Sequence, residues 1–171
     1  MSEYETILVP TDGSDGAGAA LEAARDLAET HEATVHVLYV VDTSHPALGI
    51  GGDPNTESSP GMVGDPQGAD TPMSGERDLS REIRQEAREY GTEAIDDATD
   101  RLRGVDTEAA VDSGEPVETI LQYADEHDAD LVVMGTHGRT GLERYLIGSV
   151  AEKMIRMADV PVLAVPDGSA G

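Results

Sequence analysis

Two glycine clusters near the end of the chain carry residue types that could bind a phosphate. The first, Gly135 to Gly138, follows an apolar run, and the second, Gly148 and Ser149, comes after nine more residues. Glycine lets a backbone turn tightly and approach a ligand closely, because it has no Cβ. Amide N–H groups and a hydroxyl at the start of the next helix would add donors where the helix dipole favours negative charge. The two clusters together predict a polyphosphate cradle built mainly from backbone amides.

Other phosphate-binding motifs fit the chain less well. No Gly-x-x-x-x-Gly-Lys-Ser/Thr segment occurs, and Lys153 is the only lysine, which excludes a P-loop kinase or GTPase. The run from Gly13 to Gly18 lies between a strand and a helix but lacks the third glycine of the dinucleotide fingerprint. Any one of these glycines could also serve only to allow a turn between two secondary-structure elements. Their joint spacing favours the cradle.

The glycine clusters are part of a sequence similarity to a known family that extends over most of the chain. The chain resembles the universal stress proteins, in the class whose ATP site carries a Gly-x2-Gly-x9-Gly-Ser/Thr loop. The likeness leaves out only the stretch from about residue 43 to 75. The segments that carry it are residues 7–14, 37–42, 132–138, 148–150 and 158–166.

The resemblance implies an ATP site at the ends of the strands. Adenine and ribose would lie against the first two strands, adenosine along the fourth, and the phosphates on the glycine loop. Mg²⁺, a hard cation suited to phosphate oxygens, would arrive with the nucleotide, and no protein metal site is expected. The implied nucleotide contacts are Pro10, Thr11, Asp12, Val40, Met134, Gly135, Gly138, Arg139, Gly148, Ser149 and Val150.

Three of these side chains also have plainer interpretations. Asp12 could serve only as an N-cap or Asx-turn residue that opens the first helix. Ser149 could be only a helix cap. Arg139 could be a solvated surface group or the partner of a carboxylate.

Composition limits the class of protein. A length of 171 residues suits one domain with one core, and the absence of cysteine excludes thiol chemistry. We expect a cytoplasmic protein, because the chain shows neither a signal-peptide pattern nor an apolar run near 18 residues.

The strongly negative net charge of the chain argues against nucleic acid as a binding partner. The formal net charge is −24, from 35 acidic and 11 basic residues. Nucleic-acid binding needs lysine and arginine to neutralise phosphates, and no basic stripe is present, so we expect no nucleic-acid partner. Acid excess with scarce lysine is typical of a halophile's cytosolic protein. Salt would screen the self-repulsion, which predicts salt-dependent stability.

The apolar pattern alternates between strands and helices, which is typical of a parallel α/β sheet. Helical spacing defines four helices, with apolar stripes such as Ala17 to Ala28, Leu79 to Leu102, Val117 to Ala124 and Leu146 to Ala158. We interpret these stripes as core. The five predicted strands are Glu5–Val9, Thr34–Val40, Asp106–Val111, Leu131–Gly135 and Val162–Val165.

The stretch at about residues 43–75 stands apart from this pattern. It is rich in glycine, proline and serine and is longer than the usual connection within a compact domain. We interpret it as an insertion that is either flexible or a lid over the nucleotide.

Together these observations predict one α/β domain over residues 1–171. Its five-stranded, mainly parallel sheet would carry helices on both faces, a Rossmann-like arrangement of the adenine nucleotide alpha hydrolase type that the resemblance implies. The last strand would be an exposed apolar edge unless a second copy covered it. We therefore expect a homodimer through Val160 to Val165, a pairing that the resemblance also implies.

The function that these features favour is nucleotide-dependent regulation by an ATP-binding stress-response dimer. His137 has no nucleophile or carboxylate arranged by sequence to form a triad, and no water-positioning base or arginine finger is evident. Binding is therefore expected before catalysis, with at most weak ATP hydrolysis. Slow hydrolysis or nucleotidyl transfer is the enzymatic alternative. A nucleotide-free dimerising or chaperone-like module is the other.

Overall fold

The computed structural model describes residues 3–43, 74–136 and 148–166. Strands and helices alternate along this part of the chain. They are β1 Thr6–Thr11, α1 Asp15–His31, β2 Thr34–Asp42, α2 Ser74–Arg101, β3 Thr107–Gly114, α3 Pro116–Glu126, β4 Leu131–Gly135, α4 Ser149–Met157 and β5 Val162–Val165.

The strands form one five-stranded sheet in the order β3-β2-β1-β4-β5. Every pair of neighbours is parallel, as an alternation of strands and helices predicts. The register of the central pair aligns Thr6 with Thr34 and Thr11 with Tyr39. The predicted single-domain α/β class with helices on both faces is confirmed.

Each face of the sheet has its own apolar core. Neighbouring residues of a strand point to opposite faces, so Ile7 and Leu8 of β1 lie in different clusters. One cluster joins the sheet to α1 and α2 through residues such as Ala24 and Ala98. The other joins it to α3 and α4 through residues such as Met154. Both cores use mostly small and aliphatic side chains.

Local signals explain where several helices begin and end. Ser14 caps α1, because its hydroxyl accepts the N–H of Ala17 at 3.3 Å. Glu32 ends that helix in the left-handed conformation, at φ 56°. Glu115 caps α3 by accepting the N–H of Glu118 at 2.8 Å, and Pro116 occupies the first turn.

The structure corrects the bounds of the first three strands. β1 continues past the predicted end at Val9 to Thr11, and β2 continues past Val40 to Asp42. β3 runs to Gly114 rather than Val111. The predictions ended β2 one residue before its apolar run ends at Val41, and ladder pairing continues beyond that run through polar residues, such as Asp42 with Gly114. The predicted bounds of β4 and β5 are confirmed.

The core prediction is wrong at two positions. Tyr90 and Ile155 have apolar helical spacing, yet 37% and 49% of their surfaces are exposed. The predicted insertion falls mostly on residues 44–73, and Leu146 lies between the described ranges, so both are outside the part of the chain described. Among the described residues, no helix combines the length and apolar character needed to cross a membrane.

Candidate functional site

The order of the strands opens a crevice at the carboxyl edge of the sheet. After β1 the chain builds β2 and β3 on one side, then returns to place β4 on the other side of β1. The helix that follows β1 packs on one face, and the helix that follows β4 packs on the opposite face. In parallel α/β sheets, ligands bind at this kind of switch point.

On the β1 side of the crevice, a tight turn leads from the strand into α1. Asp12 accepts the N–H of Ser14 at 3.0 Å, and the Thr11 hydroxyl accepts the N–H of Gly13 at 3.2 Å. Asp12 is therefore an Asx-turn residue, whereas the N-cap of α1 is Ser14. The turn holds the Asp12 carboxylate beside the end of β1.

On the β4 side of the crevice, the backbone of the strand lies in contact with the backbone of α1. A Cβ built on Gly135 would lie 2.8 Å from both the carbonyl carbon and the carbonyl oxygen of Gly16. Real side chains do not occupy such a position, so only glycine fits without moving the backbone. This glycine, predicted as a point of ligand approach, has a packing role between β4 and the first turn of α1.

Thr136, which follows Gly135, connects the end of β4 to Gly148 of the second glycine cluster. Its N–H donates to the carbonyl of Val165 at 3.0 Å, and its carbonyl accepts the N–H of Gly148 at 2.6 Å. Thr136 thus ties the end of β4 both to the end of β5 and to the residue that opens α4. The second cluster lies at the same edge of the sheet as Gly135.

The start of α4 presents backbone donors at this edge. Its N-cap is Gly148, which provides no side-chain cap, so Ser149 is the first helical residue and not the cap. Amide N–H groups in the first turn of a helix have no acceptor within the helix and attract anions. Glu152 adds a negative charge to the first turn, but its carboxylate accepts from Arg156 at 2.7 Å, which offsets that charge.

The other predicted contacts that the structure describes belong to β1, β2, β4 and the first turn of α4, but not all of their side chains face the crevice. Pro10 is partly buried near the end of β1, and Val40 is partly buried in β2. Met134 is only 6% exposed and packs in the core on the α3 and α4 face, as does Val150 in part. Gly138 and Arg139 lie outside the described residues.

Sequence reasoning missed a group of tyrosine and glycine contacts beside the crevice. Tyr39 of β2 packs on Gly91 of α2, and Tyr90 packs on Gly13 in the turn after β1. A glycine in the middle of an amphipathic helix was the available signal, because glycine is unfavourable there unless packing requires it.

A second group that sequence reasoning did not assemble lies away from the edge, on the face covered by α3. His36 Nδ1 is 3.2 Å from the Tyr123 hydroxyl and 3.9 Å from a carboxylate oxygen of Glu108. The His127 ring stacks on Tyr123 with centroids 3.8 Å apart. Burial lowers the pKa of His36, Glu108 partly opposes that shift, and His127 adds to it. Burial likewise raises the pKa of Tyr123, and Glu108 raises it further.

The chemistry of the edge is that of anion and hydroxyl recognition. It offers backbone N–H donors at α4, a carboxylate at Asp12 and apolar contact at Val40. In the described part of the chain, no group of three or more His, Cys, Asp or Glu side chains is placed to hold a metal ion. A doubly covered parallel sheet with such an edge defines a class of ligand-binding α/β proteins.

Comparison with known proteins identifies the family. Residues 3–166 match the model of the universal stress protein family, and the chain belongs to that family. It is 36% identical over 164 residues to universal stress protein MJ0531 of Methanocaldococcus jannaschii, covering 95% of this chain and 82% of that one.

Solved structures agree with this assignment. MJ0577 from the same archaeon superposes with a TM-score of 0.68 at 26% identity, covering 96% of each chain. A universal stress protein from Archaeoglobus fulgidus, solved in complex with dAMP, gives a TM-score of 0.56 at 25% identity, covering 96% of this chain and 99% of that chain.

Proposed function

We propose that this universal stress protein binds ATP at the carboxyl edge of its sheet and acts as a nucleotide-dependent regulator. Asp12 and Val40 would contact the ribose and base, with Pro10, Thr11 and Met134 beside them. Gly135 would lie along the adenosine, and the phosphates would lie on Gly138, Gly148, Ser149 and Val150, with Arg139 as a charge partner. Mg²⁺ carried by the nucleotide would offset phosphate charge next to a protein with a net charge of −24.

The observation that carries the proposal is the link through Thr136. One residue, next to Gly135, hydrogen-bonds to both β5 and Gly148, which brings Gly135 and Gly148 to one edge. That edge is the switch point, and the donors there are backbone amides at a helix start, which suit a polyphosphate. The family relative solved with dAMP supports an adenine nucleotide as the ligand.

Nucleotide released from the purified protein by denaturation tests this function directly. The protein is purified in high salt with Mg²⁺, and the released material is separated by ion-exchange chromatography. Co-purifying ATP, or a raised melting temperature on adding Mg·ATP to empty protein, supports the proposal. Empty protein whose melting temperature does not respond to ATP would contradict it and favour a nucleotide-free dimerising module.

A variant at the start of α4 provides the specific control. Gly148→Val places a branched side chain where the first-turn amides should meet phosphate, and it should abolish ATP retention. Gln122→Val is a matched substitution on the exposed surface of α3 and should retain ATP as the unchanged protein does. Steady phosphate release that is lost in Gly148→Val would instead indicate slow hydrolysis.

We also propose that the functional unit is a homodimer formed through β5. This strand ends the sheet and pairs only with β4 among the described strands. Leu163 on β5 and Ile155 and Met157 on α4 expose 40%, 49% and 54% of their surfaces. If β5 of a second copy paired with this strand, the apolar surface would be buried in a twofold-symmetric dimer, the commonest oligomeric arrangement.

A further inference from the structure

Helix α2 is joined to the carboxyl edge of the sheet by two tyrosine–glycine contacts. In the first, the ring of Tyr39 lies on the backbone of Gly91: a Cβ built there would be 2.6 Å from Tyr39 Cδ1 and 2.9 Å from Cε1. Tyr39 is 7% exposed and pairs in register with Thr11, the last residue of β1. Any larger residue at 91 must displace either this ring or the helix.

In the second contact, the ring of Tyr90 lies on Gly13 in the turn after β1. A Cβ built on Gly13 would be 2.9 Å from the Tyr90 hydroxyl oxygen and 3.5 Å from both Tyr90 Cε1 and Ala94 Cβ. Gly13 also has φ +76°, a conformation that side-chain-bearing residues rarely adopt. The phenol end of Tyr90 therefore closes directly over a turn that only glycine makes easily.

The two contacts are joined, because the tyrosine rings that make them pack against each other. Tyr39 and Tyr90 pack edge to face, with centroids 6.1 Å apart and planes inclined by 60°. The contacts thus form one continuous connection from β2 through α2 to the β1–α1 turn. We call these four residues, Gly13, Tyr39, Tyr90 and Gly91, the tyrosine–glycine clasp.

We infer that the tyrosine–glycine clasp positions the base and ribose half of the nucleotide site. The inference rests on the proposed function, because Asp12 and Val40 are proposed contacts for that half. Asp12 directly precedes Gly13, and Val40 directly follows Tyr39. A shift at either contact is transmitted to its neighbour through one peptide unit. Clasp residues are positioning residues, and they set the separation of Asp12 and Val40 across the crevice.

The phosphate half has a separate support. Thr136, which follows β4, holds Gly148 at the start of α4, and β4 lies on the opposite side of β1 from β2, the strand that carries Tyr39 of the clasp. Loosening the clasp should therefore weaken recognition of adenosine and leave recognition of a bare polyphosphate unchanged. A general loss of folding would not produce that split.

Calorimetric titration of the full chain in high salt tests the inference, with adenosine, Mg·ATP and inorganic tripolyphosphate as probes. Gly91→Ala and Tyr90→Leu should each weaken adenosine and ATP binding by the same factor, about tenfold, because small displacements of positioned groups are costly. Tripolyphosphate affinity should remain that of the unchanged protein. Tyr90 is part-exposed, so Tyr90→Leu keeps the test available even if Gly91→Ala fails to fold.

Gly18→Ala is the matched control, a helix glycine whose new Cβ would meet only the flexible Arg101 guanidinium, at 3.2 Å. It should bind all three probes as the unchanged protein does. Clasp variants that bind adenosine as tightly as this control would overturn the inference, as would an equal loss of tripolyphosphate binding. If the unchanged protein binds neither adenosine nor ATP, the proposed function itself fails.

Discussion

At the scale of single residues, Gly135 matters because of the backbone that lies opposite it. The end of β4 and the first turn of α1 meet at Gly135 and Gly16 without a side chain between them. Close approach at this point keeps the two walls of the crevice together. A glycine that sequence patterns associate with a ligand is thus also needed by the fold.

This packing predicts the effect of one added methyl group. Gly135→Ala should lower the free energy of unfolding by about 1–3 kcal/mol, because the new Cβ would overlap a rigid carbonyl group. Chemical denaturation in high salt measures the change. Gly18→Ala, whose Cβ meets a movable side chain, should leave stability unchanged or raise it. Equal stability of the two variants would show that the contact between β4 and α1 is loose.

Burial of His36 predicts a pH dependence of stability. Its folded-state pKa lies below the ordinary value of 6.5, so the unfolded chain takes up the proton first as the pH falls. The contribution of His36 to stability is therefore complete above pH 6.5 and is lost as the pH falls from there toward the folded-state pKa.

Two variants isolate this titration from the many carboxylates. Tyr123→Phe keeps the histidine, and the double variant His36→Leu, Tyr123→Phe removes it without leaving the tyrosine hydroxyl unpaired. Denaturation between pH 7.5 and 5.5 should show a steeper loss of stability in the single variant, because a buried neutral histidine resists protonation. Parallel profiles would mean that His36 is readily protonated in the folded protein.

At the scale of elements, β5 and α4 together present an apolar surface. Ile155, Met157 and Leu163 are each at least 40% exposed, although α4 packs in the core through Ala151 and Met154 and β5 packs against it through Val162. The opposite edge strand, β3, is mostly polar at its exposed positions and includes Glu108 and Asp112. This contrast between the two edge strands favours β5, not β3, as the strand through which two copies associate.

A charge placed on β5 should therefore separate the dimer. Leu163→Lys should give a monomer by light scattering in high salt, because burying two symmetric lysines without partners is costly. Val111→Lys is the matched control, since Val111 is exposed to 39% against 40% for Leu163 but lies on β3. A monomeric unchanged protein, or a dimer that both variants retain, would remove β5 from the interface.

At the scale of the whole molecule, charge dominates the surface. The chain carries 35 acidic residues against 11 basic ones. The arginine–carboxylate pairs among the described residues join exposed side chains three or four positions apart, in helices or just past a helix end. Exposed pairs of this kind contribute little to stability, so they leave most of the long-range repulsion in place.

Stability should consequently rise with salt. The Debye length falls from about 10 Å at 0.1 M to about 3 Å at 1 M, which removes repulsion between most surface carboxylates. The melting temperature should increase between 0.1 M and 2 M potassium chloride. Replacing the exposed Glu22, Glu86 and Glu93 by glutamine should reduce the increase. A melting temperature that is indifferent to salt would contradict the expectation.

The sequence by itself determined the local features of this protein. The order of strands and helices, the bounds of β4 and β5, and the spacing of the glycine clusters follow from neighbouring residues, because hydrophobic periodicity and turn chemistry act over short distances. The same limit explains the short predictions for β1 and β2. Their last residues, such as Thr11 and Asp42, are polar and are held in strands by pairing with residues distant in the chain.

Only the tertiary structure decided which distant residues meet. The strand order brings Thr136 to Gly148, Gly135 to Gly16, and α2 to the edge through Tyr39 and Tyr90. It also assembles His36 with Tyr123 and His127, which no spacing in the sequence relates. These contacts depend on how the sheet is ordered and how closely two backbones approach, and those properties arise only when the two cores pack on opposite faces of the sheet.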